Sequence, residues 1–288
     1  MDIKNYFIYY LKERDLFNIS YPINELQLKE LKEKLHPLPL IVVNTNLEII
    51  SGMEYLFLFK NEDIYGIDVM EIDITDKDAL FLAYNLKSRF TGVNSYEKLL
   101  FIKKVLTFAD PGEIHRRTGI DIAITPDLRK HLRLLTGEKF RDGLATDAFT
   151  IKTAIKIANF DEKDRDVLLS VFSKVPFTSS HQQKIIEMSE EIRFRDKQGL
   201  TEIFSSLGIG ELLENDKPQK EIIERLYTHR FPLYKEAETQ WQNEIETLGL
   251  PKNIKVTHWP YFEKKSLDIS ITVEDMAHLK QISEKLKH

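Results

Sequence analysis

The chain has 288 residues, 42% hydrophobic and 30% charged, with 41 basic against 46 acidic side chains and a formal net charge of −5. That is enough to bury a core in two or three compact units, and the acidic balance confines any contact with nucleic acid to a local basic patch. The absence of cysteine excludes disulfides, zinc ribbons and thiol catalysis.

The chain opens on MDIKNYFIYYLKERDLF, a dense aromatic group of Tyr6, Phe7, Tyr9, Tyr10 and Phe17. Few positive charges interleave with it, so it reads as core or partner contact rather than as a base-stacking platform. Lys12, Glu13 and Arg14 break its apolar run too early for a signal peptide. No stretch is long enough to span a bilayer, and a cytoplasmic protein without membrane contact is expected. Leu28, Leu31 and Leu35 mark one face of a helix ending near His36-Pro37. LPLIVVN and LEIISG, on either side of Asn44-Thr45-Asn46, read as a hairpin. MEYLFLFKNED reads as a helix and GIDVMEIDI as a strand, with Ile67 and Val69 out of phase with Met70, Ile72 and Ile74, which predicts a bulge or a fully buried start. DKDALFLAYNLKSRF predicts a helix begun at Asp76 or Asp78.

Beyond residue 93 the pattern is helical. Asn94 with Glu97 has capping-box spacing, for a helix running to about Ala109. Asp110-Pro111 and Thr125-Pro126 each place a proline at the first helical position. Further helices open at Phe149-Thr150, at Asp161, and at Ser179 or Ser180 with Gln182 or Gln183 in capping position. Gly208-Ile209-Gly210 and Asn215-Asp216-Lys217-Pro218 mark a boundary. Two helices follow, near 218–228 and 232–247. NIKVTHW and SLDISIT then read as strands, and VEDMAHLKQISEKL as a helix with Met276, Leu279, Ile282 and Leu286 on one side. Trp259, Tyr261 and Phe262 lie in the turn of this C-terminal module, as a dimer surface or as packing against the preceding helices.

The expected architecture is α+β and mostly helical. It has a small α/β domain at 1–92, a helical DNA-binding domain at 93–208, and a helical linker with a strand-strand-helix module at 209–288. Two capped helices joined by a turn containing Gly119 predict a helix-turn-helix over 111–135. The second would bury Leu128, Leu132 and Leu135. It would present Thr125, Asp127, Arg129 and Lys130 to a major groove, with Arg133 on the same basic side. Arg116 and Arg117 would hold the DNA backbone. The opposing reading is a solvated face, because residues 110–144 carry seven basic and six acidic side chains.

Four strings, in chain order, resemble the ParB family of chromosome and plasmid partition proteins. Residues 38–61, LPLIVVNTNLEIISGMEYLFLFKN, are similar to its strand–strand–helix, in which a glycine opens an arginine-rich helix. Residues 81–98, FLAYNLKSRFTGVNSYEK, are similar to the Glu-Asn-x-x-Arg segment and the helix start that follows it. Residues 113–135, EIHRRTGIDIAITPDLRKHLRLL, resemble its helix-turn-helix. Residues 255–286, KVTHWPYFEKKSLDISITVEDMAHLKQISEKL, resemble the C-terminal module through which many members dimerise. The resemblance implies double-stranded DNA as a partner, a homodimer, a partition ATPase as a further partner, a place on the nucleoid, and CTP with Mg as a nucleotide ligand. Where the family grips phosphates with Gly-Glu-Arg-Arg, this chain has Gly52, Met53, Glu54 and Tyr55. Tyr84 replaces the motif carboxylate, and Asn85 is kept. Gly52 and Asn85 therefore carry over as nucleotide-binding candidates, but both arginines are gone and a glutamate would repel phosphate. The phosphate contact then falls to Lys60, Lys87 or Arg89.

No catalytic residue is assigned. The histidines form no metal-ligand spacing, with His115 and His131 read as surface or turn residues, and there is no Gly-Lys-Ser/Thr phosphate loop or Gly-x-Ser-x-Gly elbow. Two other functional classes stay open: an interaction adaptor on the same scaffold, and a residual nucleotidase or nuclease using Glu48 with Glu54 or Glu71 with Asp73.

Overall fold

The computed structural model describes residues 2–21, 29, 41–121, 123–259 and 262–285. It divides into two compact units, Met1–Glu221 and Ile222–His288. The fold is α+β and mostly helical. Among the described residues no helix is long and apolar enough to cross a membrane.

The first unit begins with a four-stranded sheet in the order β1-β4-β2-β3. Its strands are β1 (Asp2–Phe7), β2 (Ile41–Asn44), β3 (Ile49–Ser51) and β4 (Gly66–Ile72). β4 pairs antiparallel with β1 and parallel with β2, and β2 and β3 form the expected hairpin. All four residues of β2 are buried, as a β-branched run in mid-sheet should be. α1 (Met53–Asn61) fills one face, where Met53, Leu56 and Phe59 meet Ile41, Val43, Ile49, Ile67 and Val69. Each such side chain contributes about 1.5–3 kcal/mol on burial. α2 (Asp76–Phe90) packs on β3.

Two local expectations differ from the structure. β1 has no alternating pattern and was not expected as a strand. β4 carries no bulge: its register with both neighbours is regular, and Ile67, Val69 and Ile72 are all buried because the strand is central. The irregularity sits instead between Val42 and Val43 of the hairpin. The expected helix around Leu28, Leu31 and Leu35 and the first residues of LPLIVVN lie outside the described residues.

The remaining helices of this unit are short: α3 (Ser95–Val105), α4 (Pro111–Thr118), α5 (Pro126–Leu135), α6 (Glu138–Ala145), α7 (Ile151–Ala158), α8 (Glu162–Lys174), α9 (Ser179–Asp196), α10 (Leu200–Ser206) and α11 (Ile209–Leu212). Their starts follow the capping residues. Asn94 and Glu97 form the full capping box, and Asp110, Thr125, Thr150 and Asp161 each accept from an amide of the first turn. α9 is capped by Thr178 rather than by Ser179 or Ser180. Gln182 takes no part in that cap. It is buried, accepting from the Thr153 hydroxyl at 2.9 Å and donating to the Ala148 carbonyl at 2.8 Å. α3 stops at Val105, four residues short of the expected Ala109.

α12 (Gln219–Arg230) straddles the division at Glu221. The second unit continues with α13 (Pro232–Thr247), an antiparallel hairpin of β5 (Ile254–His258) and β6 (Leu267–Ile271), and α14 (Met276–Lys285). This is the expected strand-strand-helix order. Phe262 stacks on His258, with ring centroids 3.8 Å apart, and reaches Tyr234 of α13. That contact accords with packing against a preceding helix; Tyr261 and Leu286 lie outside the described residues.

Candidate functional site

Gly52 opens α1 from a left-handed conformation, φ 93°, and a Cβ there would stand 3.0 Å from Cγ1 of Ile41. Only glycine meets both demands without strain. The turn aims the first residues of α1 at α2, and Glu54 becomes a buried carboxylate paired with Lys87. Ser20 donates its hydroxyl to Glu54 at 2.6 Å. Lys87 also lies 3.4 Å from Glu97, which in turn accepts from the Tyr21 amide at 2.8 Å. Two carboxylates and one ammonium are thus enclosed where α1, α2, α3 and the segment at residues 20 and 21 converge.

Burial is the largest influence on Glu54 and would raise its pKa, but the Lys87 charge and the bonds from Lys87 and Ser20 outweigh it and hold the carboxyl below its ordinary value. For Lys87, burial would lower the pKa, and the two glutamates overcome that and raise it. Both groups are therefore ionised near neutrality, and Lys87 is already committed to protein carboxylates.

The cavity beside them is about 20 Å³ and is lined by Gly52, Glu54, Ala83 and Lys87 among others. That is room for about one water. Ala83 and Lys87 line it because residues four apart share a helix face. Asn85 falls between them, is exposed, and donates to the Arg117 carbonyl at 3.2 Å. Of the two carried-over candidates, then, Gly52 borders the cavity and Asn85 does not. Among the described residues Lys60 reaches Glu13, at 3.5 Å, and the exposed Arg89 makes no ion pair. The Lys87 that lines this cavity is neutralised by Glu54. The Glu54–Lys87–Glu97 arrangement had no local sequence signal, because its partners are 33 and 10 residues apart in the chain.

The basic segment is organised differently. α4 ends at Gly119 in a left-handed turn, φ 68°, and α5 begins after Thr125, whose hydroxyl accepts from the Leu128 amide at 3.1 Å. α4 packs on α2, whereas α5 packs on α3, α6 and α7. Leu128, Leu132 and Leu135 are buried as expected. Thr125, Arg129, Lys130 and Arg133 are exposed. Among the described residues Arg116, Arg129, Lys130 and Arg133 make no ion pair. Arg117 is separate from them. Its guanidinium bonds Asp78 at 2.9 Å, lies 3.4 Å from Glu113, and stacks 3.8 Å over Phe81. It ties α4 to α2.

His131 is buried rather than on the surface, with Nε2 2.9 Å from Oδ1 of Asn159. His115 is on the surface, as expected, in the last turn of α4, with Nδ1 2.9 Å from the Ile120 carbonyl. Of the other candidate acids, Glu48 bonds Arg14 and Asn44, and Glu71 bonds Lys4 and Tyr6. Among the described residues no three acidic or imidazole groups gather as a metal site.

No protein-family model matches the chain, and no curated protein does. The solved structures to which the chain is similar include three ParB structures. A Pnob8-like ParB-N domain matches at 17% identity and TM-score 0.42, over 77% of this chain and 92% of that one. A C-terminally truncated chromosome-partitioning protein ParB from Caulobacter crescentus, complexed to the centromeric parS site, matches at 14% identity and TM-score 0.37, over 64% and 98%. The pNOB8-like ParB N-domain matches at 15% identity and TM-score 0.38, over 82% and 96%.

Proposed function

We propose that this chain binds double-stranded DNA as a homodimer and directs partition or local transcription, without a working nucleotide pocket. The observation that carries this reading is the outer face of α5. Arg129, Lys130 and Arg133 stand together with no carboxylate partner among the described residues, whereas Lys77, Lys139, Arg117 and Arg193 elsewhere are ion-paired. Unpaired cations on a helix anchored by its opposite face are free to displace counterions from a duplex. The capped start at Thr125-Pro126 would lead the helix into the major groove, with Arg129 and Lys130 nearest base edges and Arg116 on phosphate. Dimerisation would use the second unit, where Leu267 and Ile269 of β6 and Met276 and Leu279 of α14 are large exposed apolar side chains.

The test is binding to duplex DNA, followed by fluorescence anisotropy across a salt series. Affinity should fall steeply, with a log–log slope of about −0.9 for each phosphate contacted. Replacing Arg129 and Lys130 by alanine should flatten that slope, while Arg117→Ala should leave it unchanged. An interaction adaptor on the same scaffold would have no DNA affinity to lose.

A further inference from the structure

Among the described residues β1 is the edge of its sheet and pairs with β4 alone. The Ile8 amide donates to the Tyr65 carbonyl at 2.8 Å, which fixes the alternation along the strand. In that phase Lys4 and Tyr6 exchange main-chain bonds with β4, so the main-chain groups of Ile3 and Asn5 and the amide of Phe7 point away from the sheet. A six-residue edge with outward donors and acceptors is a template for another strand.

The side chains beside this edge are apolar and uncovered. Ile3, Phe7, Tyr9, Tyr10 and Tyr65 are between 47% and 73% exposed. Phe7 meets Tyr10 edge to face at 6.3 Å, and Tyr9 stacks on Tyr65 at 5.8 Å. Gly66, opposite Phe7, leaves its ring without a cross-strand neighbour. The rim is acidic. Asp68, opposite Asn5, accepts from it at 2.8 Å, and Asp63 accepts from the Tyr65 hydroxyl at 3.0 Å. Neither aspartate has a cation among the described residues. Residues 60–73 carry five acidic side chains and one lysine.

The charge decides what fits. Nucleic acid and anionic lipid would be repelled by Asp63 and Asp68, and a second copy would bring two acidic rims together. A cationic chain would be attracted to the carboxylates and to the faces of the tyrosines. We propose that the β1 edge docks an arginine- or lysine-rich extended segment of a protein partner, which adds as a strand outside β1. Its cations lie over Tyr9, Tyr10 and Tyr65 and beside Asp63 and Asp68. This surface is independent of the DNA-binding reading of α5.

The test uses the full chain and three fluorescent peptides of about nine residues, long enough to span the edge. One alternates arginine with valine, one alternates glutamate with valine, and one is the arginine peptide N-methylated on alternate residues to remove its donors. Only the first should bind saturably. Tyr9→Ala with Tyr65→Ala should weaken it roughly tenfold, and Asp63→Asn with Asp68→Asn should flatten its salt dependence. Equal binding of the glutamate or N-methylated peptide, or unchanged binding to the tyrosine variant, would overturn the proposal. So would a β1-dependent dimer in sedimentation that is lost in Phe7→Asp. The N-methylated arm leaves the protein unaltered, so it stands even if a variant misfolds.

Discussion

Glu54 occupies a position where the family resemblance places a phosphate-binding arginine, and its partner Lys87 is drawn from the next helix. Removing one member of such a buried group leaves the other uncompensated. Lys87→Ala should therefore cost about 3–5 kcal/mol in urea denaturation, while Glu54→Leu combined with Lys87→Met should cost far less. The pH dependence has a definite sign. Because the Glu54 carboxyl is held below its ordinary value of 4.5, its contribution is present above that pH and is lost as pH falls through the depressed folded value. Asp164, whose carboxyl is raised chiefly by burial, has the opposite sign: its contribution is present below the ordinary value of 3.8 and is lost as pH rises through the folded value. The diagnostic is thus the difference between wild type and Glu54→Gln, with the wild type steeper below pH 4.5. Gly52→Ala should cost at least about 1–2 kcal/mol from its left-handed backbone, before any displacement of Ile41.

At the scale of the element, α5 is held by a cap at one end and three leucines along one side. Thr125→Ala should cost about 0.5–2 kcal/mol and Leu132→Ala about 2–5 kcal/mol, read by thermal or urea unfolding. Those features were legible in the sequence because caps, prolines and leucine spacing act within a few residues. The central hairpin was legible for the same reason. β1 was not: Ile3 and Phe7 point outward while Tyr6 is half-buried, so no alternation marks the strand, and its only support is a strand some sixty residues away. Arg117 looked like its neighbour Arg116 in the sequence, yet only the folded chain brings it over Phe81. Gly52 was carried over by motif, and its left-handed turn is what sets it beside the cavity. Asn85 was carried over by motif alone, and the helical phase set by Ala83 and Lys87 leaves it outside the cavity.

At the scale of the whole molecule, the two units divide the proposed work: α5 of the first for DNA, the hairpin and last helix of the second for assembly. Ile269→Asp should convert a dimer to a monomer in sedimentation without disturbing the β5–β6 pairing, since its side chain is exposed. Loss of the dimer should also weaken DNA binding, because each protomer would then neutralise only its own share of phosphates. The measurement that bears most directly on the account is immunoprecipitation of the native protein from its own cells, with sequencing of the recovered DNA. Site-specific binding through α5 should give a few sharp peaks that disappear in the Arg129→Ala, Lys130→Ala double variant. A flat profile from well-expressed, well-recovered protein would contradict it.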